Sequence, residues 1–228
     1  MDRISFDRNY RPRLIRLSTT NLSDALDSLN ARGAVIGIRP VFASRRIVGR
    51  AITIKIAATG AVRSSRHLGV EAIAEAEDGD IIAIDNRGDL NNNCWGEVLS
   101  CAAKVKGIQG VVVDGAVRDV DACQDMQFPV YARNVVPITA RGRIVQEAFN
   151  CPVRLGDEEV RPGDIIIGDV NGIVIIRPEM LDEVIQIAES LMSREESMKA
   201  DLLSGMDVLE MDRKYNYEHM LDSPRERS

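Results

Sequence analysis

A chain of 228 residues with 45% hydrophobic residues is long enough to bury a full core without disulfides and supports one substantial domain. A formal net charge of -6 excludes the basic face that generic nucleic-acid binding needs, and 4% aromatic residues leave little for base stacking. Cys94, Cys101, Cys123 and Cys151 lack the short paired spacing of a zinc ribbon, charges in Met1 to Phe6 exclude a secretory signal, and no stretch approaches a spanning helix, so a soluble cytoplasmic protein with reduced thiols and no membrane partner is expected.

In chain order, residues 1–17 read as an amino-terminal extension. Ser18 to Ala31 then carries hydroxyl and amide residues ahead of Leu22, Ala25, Leu26 and Leu29, which predicts a capped amphipathic helix ending before Gly33. Ile47 to Ala58 alternates apolar and polar residues as a half-buried strand does. Glu71 to Ala76 predicts a short helix, and Ile81 to Ile84 a strand that runs out into Asp85, Asn86, Arg87, Gly88 and Asp89. After Asn91 to Asn93, the pattern Val98, Leu99, Ala102, Ala103, Val105 predicts a helix whose amino terminus lies at Gly96 to Leu99. Gly110 to Val113 is a buried strand, Val120 to Met126 a helix, and Phe128 to Ala132 another strand. Short β runs follow at Ile144 to Phe149, Val153 to Leu155, Ile165 to Gly168 and Ile173 to Ile176, with Asp169 to Gly172 as a hairpin turn. Pro178 opens a helix to about Leu203, and from Met211 to Ser228 the chain is polar, charged and expected to be loose.

Two of these strands end in polar, charged loops, each followed by a helix. Neighbouring parallel strands deliver such loops to one rim, the usual place for a ligand in an α/β protein. One loop holds Asp114, Gly115, Arg118 and Asp119, the other leads to Trp95, Gly96 and Glu97. A helix start at Gly96 presents free backbone N–H groups to a carboxylate or phosphate. Arg118 is a bidentate fork for a planar carboxylate, and Asp119 beside it suits a metal or a proton.

On Trp95-Gly96-Glu97-Val98-Leu99 and on Gly110 through Asp119, with Glu97 and Arg118-Asp119 separated by residues 98–117, the chain resembles the RraA-like family over about Leu22 to Leu203. Its Asp119 favours the branch of class II 4-hydroxy-4-methyl-2-oxoglutarate / 4-carboxy-4-hydroxy-2-oxoadipate aldolases, although that branch more often has Asp where Glu97 stands. The resemblance implies an α/β fold, a swivelling β/β/α domain with a central mixed sheet, flanking helices and a long carboxy-terminal helix. It also implies a homo-oligomer, a trimer or a hexamer, with sites at subunit interfaces. The domain would span residues 18–205, with 206–228 as a polar tail. By the same likeness Asp119 ligates Mg²⁺ or Mn²⁺, Glu97 holds its waters, and Glu195, or Glu196 next to it, reaches in from a neighbouring subunit. The backbone of Gly96, Val98 and Leu99 together with Arg118 then binds a small 2-oxo acid.

The implied activity is metal-dependent retro-aldol cleavage releasing pyruvate, with oxaloacetate decarboxylation through the same enolate. Alternatives are a non-catalytic protein-binding regulator, as in the other branch, and a related lyase acting on a sugar-derived acid. Plainer roles stand beside the functional ones. Arg118 and Asp119 also fit a capped helix start with a surface ion pair, Glu97 an acid favourable to a helix dipole, and Asp114 a turn that bonds backbone. Trp95 reads as packing, His67 and His219 as non-catalytic, and Arg39, Arg63, Arg66 and Arg87 as further carboxylate readers if they reach the pocket. No Gly-rich strand-to-helix loop with an acidic partner supports an adenosyl cofactor.

Overall fold

The computed structural model describes residues 3–60 and 67–221, so Arg63 and Arg66 lie outside the described residues. The chain divides into a helical unit, drawn from residues up to Gly33 and from Glu179 onward, and a sheet unit, Ala34–Pro178.

The helical unit begins with α1 (Arg3–Ser5), a π-helical turn at Phe6–Tyr10, α2 (Arg11–Leu14) and α3 (Thr19–Ser28). Phe6, Leu14 and Leu17 are fully buried, so residues 1–17 carry core side chains that their charged sequence context conceals. Ser18 caps α3 as expected, its Oγ accepting the Asn21 N–H at 3.0 Å.

The sheet unit contains β1 (Ala34–Val35), β2 (Arg39–Pro40), β3 (Ile47–Ala58), α4 (Val70–Glu75), β4 (Ile81–Asn93), α5 (Glu97–Val105), β5 (Gly110–Val117), α6 (Val120–Asp125) and β6 (Val130–Val135). It continues with β7 (Ile144–Phe149), β8 (Val153–Leu155), β9 (Glu158–Val160), β10 (Ile165–Asp169) and β11 (Gly172–Ile176). The main sheet runs β1-β11-β10-β3-β4-β5-β6-β2, with β7 on β3 and β8-β9 as a separate hairpin. Strands β3 to β6 are parallel and joined by α4, α5 and α6; the outer strands are antiparallel, which makes the mixed sheet that the resemblance implied. Every residue of β5 is buried, as a central parallel strand covered on both faces requires.

Period-two alternation sorts the side chains. Ile82, Ile84, Val111 and Val113 pack with Ile73, Ala103 and Phe128 on the helical face. Ile81, Ala83 and Val112 pack with Val153, Leu155 and Val160 of the β8-β9 hairpin on the other. Each fully buried Val, Ile or Leu contributes on the order of 2 kcal/mol to holding the rim in place.

Back in the helical unit, α7 (Leu181–Leu203) follows a 3₁₀ turn at Pro178–Met180, buries Leu181, Val184, Ile185, Ala188 and Leu191, and packs on α3. Arg13 grips Glu189 through two hydrogen bonds of 2.8 and 2.6 Å. The expectation of loose chain from Met211 does not hold over its first residues, which belong to α8 (Val208–Tyr215). Asp207 caps that helix at the Leu209 N–H, Arg194 donates to the Tyr215 carbonyl at 2.7 Å, and both Lys214 and Tyr215 donate to Asp201. Polar residues that composition reads as solvated instead tie the helix back to α7.

Two further differences come from the sheet unit. Strand β4 continues past Ile84 to Asn93, in unbroken register as far as Asp85 opposite Asp114, then with register shifts that pair Asp89 with Gly115 and Asn93 with Ala116. Its polar end keeps strand pairing because the side chains close the loops between rungs: Asp89 accepts the Asn91 and Asn92 N–H groups, and Asn86 donates to the Asn92 carbonyl. Glycine is required opposite, since a Cβ on Gly115 would lie 2.8 Å from Asn86 Nδ2 and 3.0 Å from the Asp89 carbonyl oxygen. Strand β9 carries no hydrophobic alternation over Glu158–Val160 and was not anticipated from sequence. No helix among the described residues is long and apolar enough to cross a membrane.

Candidate active site at the carboxyl ends of β4 and β5

The two strand ends meet at the Trp95 carbonyl. It accepts the Arg118 N–H at 3.0 Å and the Asn93 side-chain amide at 3.4 Å, while the Cys94 N–H donates to the Ala116 carbonyl. Trp95 is fully buried, and its indole N–H donates to Ser100 Oγ at 2.8 Å, which pins the loop onto α5. Trp95 is therefore a packing residue that also lends the site its backbone, as its sequence context suggested.

On this frame α5 and α6 start beside each other. Gly96 is the N-cap of α5 and supplies no side-chain cap, so the Val98 and Leu99 N–H groups of the first turn have no intrahelical partner. The Glu97 N–H donates to Asp119 Oδ2 at 3.2 Å, and Arg118 Nε lies 3.3 Å from the same oxygen. That leaves Oδ1 of Asp119 directed to other company. Asp119 is the N-cap of α6 at φ 55°, a left-handed conformation that costs an aspartate about 1 kcal/mol and aims its carboxylate away from its own helix. A Cβ on Gly96 would fall 2.6 Å from Asp119 Oδ2; glycine at 96 is what lets the carboxylate approach the α5 terminus.

These residues line one cleft of about 230 Å³ together with His67, Val70, Asn93, Cys94, Thr139, Ala140 and Arg141. Arg118 and Asp119 are each 37% exposed, between the buried state of structural ion pairs and the freedom of surface ones. Burial pushes the neighbouring Cys123 thiol upward; its bond to Ser100 opposes this, and the negative charges of Asp119 and Glu97 add to it. Both carboxylates thus project negative potential onto the Cys123 thiol beside Ser100.

The structure separates Asp114 from this group. Its carboxylate is buried, paired with Arg133, and accepts the Gly156 N–H at 2.9 Å, so it holds the β8-β9 hairpin and not a ligand. Arg39 and Arg87 are not among the cleft residues. Glu195 and Glu196 belong to α7 in the helical unit, where Glu195 accepts from Asn21 at 3.1 Å and lies 4.0 Å from Lys199. Asp24 of the same unit is raised by burial and then by the negative charges of Glu195 and Asp27. Thr139, Ala140 and Arg141 carry no sequence signal and His67 reads from sequence as non-catalytic, because all four come from loops with no motif that only the fold brings to the cleft.

A divalent cation is consistent with the donor set. Among the described residues no group of three His, Cys, Asp or Glu side chains converges, which disfavours a zinc-type cage. The acidic oxygen donors lining the cleft are the Asp119 and Glu97 side chains. Few direct ligands and many waters suit Mg²⁺ or Mn²⁺.

Comparison with known proteins agrees with this architecture. The family described as RraA-like, Aldolase/RraA, matches residues 19–175. Protein DlpA of Legionella pneumophila is 30% identical over 210 residues, 92% of this chain, and the chain spans only 34% of that protein's length. A Halalkalibacterium halodurans protein, provisionally named 4-hydroxy-4-methyl-2-oxoglutarate aldolase, is 35% identical over 79% of this chain and 82% of its own. The crystal structure of Streptomyces coelicolor RraAS2, described as an unusual member of the RNase ES inhibitor RraA family, superposes with a TM-score of 0.77 at 23% identity, covering 85% of this chain and 98% of that one.

Proposed function

Because the chain belongs to the RraA-like family, in which relatives are named as aldolases, we propose that it is a divalent-metal-dependent carbon–carbon lyase that cleaves a small 4-hydroxy-2-oxo acid and releases pyruvate. The observation that carries the reading is the meeting of Arg118, Asp119 and Glu97 with an uncapped helix terminus on one cleft wall. A regulator that works through its outer surface needs no such arrangement.

In this reading the substrate's 1-carboxylate sits at the α5 terminus, receiving the Val98 and Leu99 N–H groups and the Arg118 guanidinium. Gly96 keeps that approach open. Asp119, with Glu97 through water, holds Mg²⁺ or Mn²⁺, and the ion when bound supplies Lewis-acid stabilisation of the charge that develops at the 2-oxo group. Arg118 adds a fixed positive charge on the same side and requires no reorganisation as the C3–C4 bond breaks. Cleavage moves the 4-hydroxyl proton to solvent or to a cleft base and leaves pyruvate after C3 is protonated. Loss of CO₂ from oxaloacetate passes through the same enolate, so decarboxylation is the expected second activity. The reading includes assembly as a trimer or hexamer, with Glu195 or Glu196 of a neighbouring copy near the metal's waters. The net charge of -6 and the lack, among the described residues, of a helix able to cross a membrane are consistent with a cytoplasmic enzyme.

Pyruvate release from 4-hydroxy-4-methyl-2-oxoglutarate and from oxaloacetate, coupled to lactate dehydrogenase with Mg²⁺ or Mn²⁺ and then with EDTA, tests it. Chelator-sensitive release above the metal-only background is expected. Folded protein that binds Mn²⁺ yet releases none from either acid would redirect the assignment to another acid, and folded protein that binds no metal would make it a regulator.

A further inference from the structure

His67 lines the cleft from the turn that leads into α4, and its side chain is exposed. Three contacts hold that turn. The Val70 N–H donates to the His67 carbonyl at 3.4 Å, the Gly69 N–H donates to Gln146 Oε1 at 2.8 Å, and Leu68 is buried in the core. The turn rests on the site itself: a Cβ on Gly69 would lie 3.4 Å from Trp95 Cζ3 and 3.5 Å from Leu99 Cδ1, and these two residues flank the α5 terminus. The imidazole is oriented as well. Its Nδ1 lies 3.0 Å from the Leu68 carbonyl oxygen, which can only accept, so the neutral ring carries its proton on Nδ1 and its lone pair on Nε2. Among the described residues Nε2 has no partner.

The other ionisable groups of the cleft are committed. In the lyase reading, on which this inference rests, the Glu97 and Asp119 carboxylates serve the metal. Arg118 and Arg141 only donate, and burial pushes the Cys94 thiol up, away from its thiolate. Imidazole is the side chain whose charge ordinarily changes near neutral pH, which suits it to proton transfer. We propose that His67 Nε2 is the base that takes the substrate's 4-hydroxyl proton. As that O–H bond breaks, its electron pair forms the C4 carbonyl, the C3–C4 pair passes into the pyruvate enolate, and the ring becomes imidazolium. C3 then takes a proton from water, and the imidazolium neutralises the hydroxide left behind, which restores the neutral ring.

The test sets two activities against each other on the full chain with Mg²⁺, in wild type, H67Q and H67A. Oxaloacetate loses CO₂ with no proton to remove beforehand, so it shares the enolate and dispenses with the base. In both variants kcat for cleavage of 4-hydroxy-4-methyl-2-oxoglutarate should fall about a hundredfold at little changed KM, while decarboxylation stays within about threefold of wild type. Loss of both activities together, or cleavage that stays within about tenfold of wild type, overturns the assignment. A second readout needs no turnover. The chain has two histidines, so H67Q identifies the His67 signals in the imidazole ¹⁵N spectrum of the metal-free protein. The neutral ring should be the Nδ1–H tautomer; an Nε2–H tautomer overturns the base and leaves the lyase reading intact. Wild type that decarboxylates oxaloacetate without cleaving the hydroxy acid also overturns the base, and wild type that does neither ends the lyase reading and the base with it.

Discussion

Two pairs of acids end the same two strands and have opposite fates. Asp85 and Asp114 stand opposite each other in the β4–β5 register, both buried, and each is consumed by the β8-β9 hairpin: Asp85 accepts the Arg154 N–H at 3.1 Å, Asp114 the Gly156 N–H at 2.9 Å and the Arg133 guanidinium. Glu97 and Asp119, further along each connection, sit where the helices start, and one Asp119 oxygen takes the local N–H and Arg118 while both residues line the cleft. An acid at a strand's carboxyl end is thus no functional signal in itself. Burial decides: a buried carboxylate must be fully paired to be tolerated, whereas at the half-exposed helix starts it can stay underpaired and available.

The sharpest way to break this comparison is Asp119→Asn. Asparagine keeps the left-handed backbone and the size, so thermal unfolding should stay within about 2 °C of wild type, a few tenths of a kcal/mol, while Mn²⁺ binding is lost and metal-dependent turnover falls about a thousandfold. A large drop in melting temperature would make Asp119 structural like its buried counterparts. Asp114→Ala should show the reverse. Removing the buried carboxylate leaves the partly exposed Arg133 and the Gly156 N–H without their acceptor and should cost about 2 kcal/mol in urea unfolding, with Mn²⁺ affinity of the folded fraction unchanged. Loss of metal affinity in a stable D114A protein would contradict the separation drawn here.

Gly96→Ala asks how closely the rim acid must approach. Gly96 has an extended backbone that alanine adopts freely, so the added Cβ acts through its 2.6 Å clash with Asp119 Oδ2. Metal affinity should fall roughly thirtyfold for a stability loss below about 1 kcal/mol; unchanged affinity would show that the carboxylate need not sit at the α5 terminus. The smallest effect is expected at Asp89, between the two pairs along β4. Burial raises its carboxyl, but the Asn92 side chain, the Asn91 and Asn92 N–H groups and Arg87 outweigh that and hold it below its ordinary 3.8. A depressed acid stabilises the fold above its unfolded value and loses that contribution as pH falls through the folded one. The stability gap between wild type and Asp89→Asn should therefore be present at pH 6 and close on acidification below about 3.8; a gap independent of pH would mean that shape, not charge, holds the loop.

Much of this was legible in the chain. Hydrophobic periodicity marked β3, β10 and β11 to within a residue, and β5, α3 and α7 with one end displaced by three or four residues, because each buries a continuous face whose period is written locally. Glu97, Arg118 and Asp119 stood out as charge set against β-branched strands, and Gly96 as the break before a helix. What local pattern leaves open is the partner. Nothing in the residues around Asp114 distinguishes it from Asp119, since the difference is a backbone N–H at Gly156 brought back by the hairpin. The unsatisfied oxygen of Asn93 is equally invisible in sequence, where it is one of three consecutive asparagines. His67 and Arg141 reach the cleft wall from loops that only the parallel β3–β6 order brings to that rim. The sequence by itself determined which elements form and where chemistry concentrates, because amphipathic burial and helix starts are short-range properties. Tertiary structure alone decided which acids are spent and which remain available, because hydrogen-bond satisfaction is settled between residues distant in the chain.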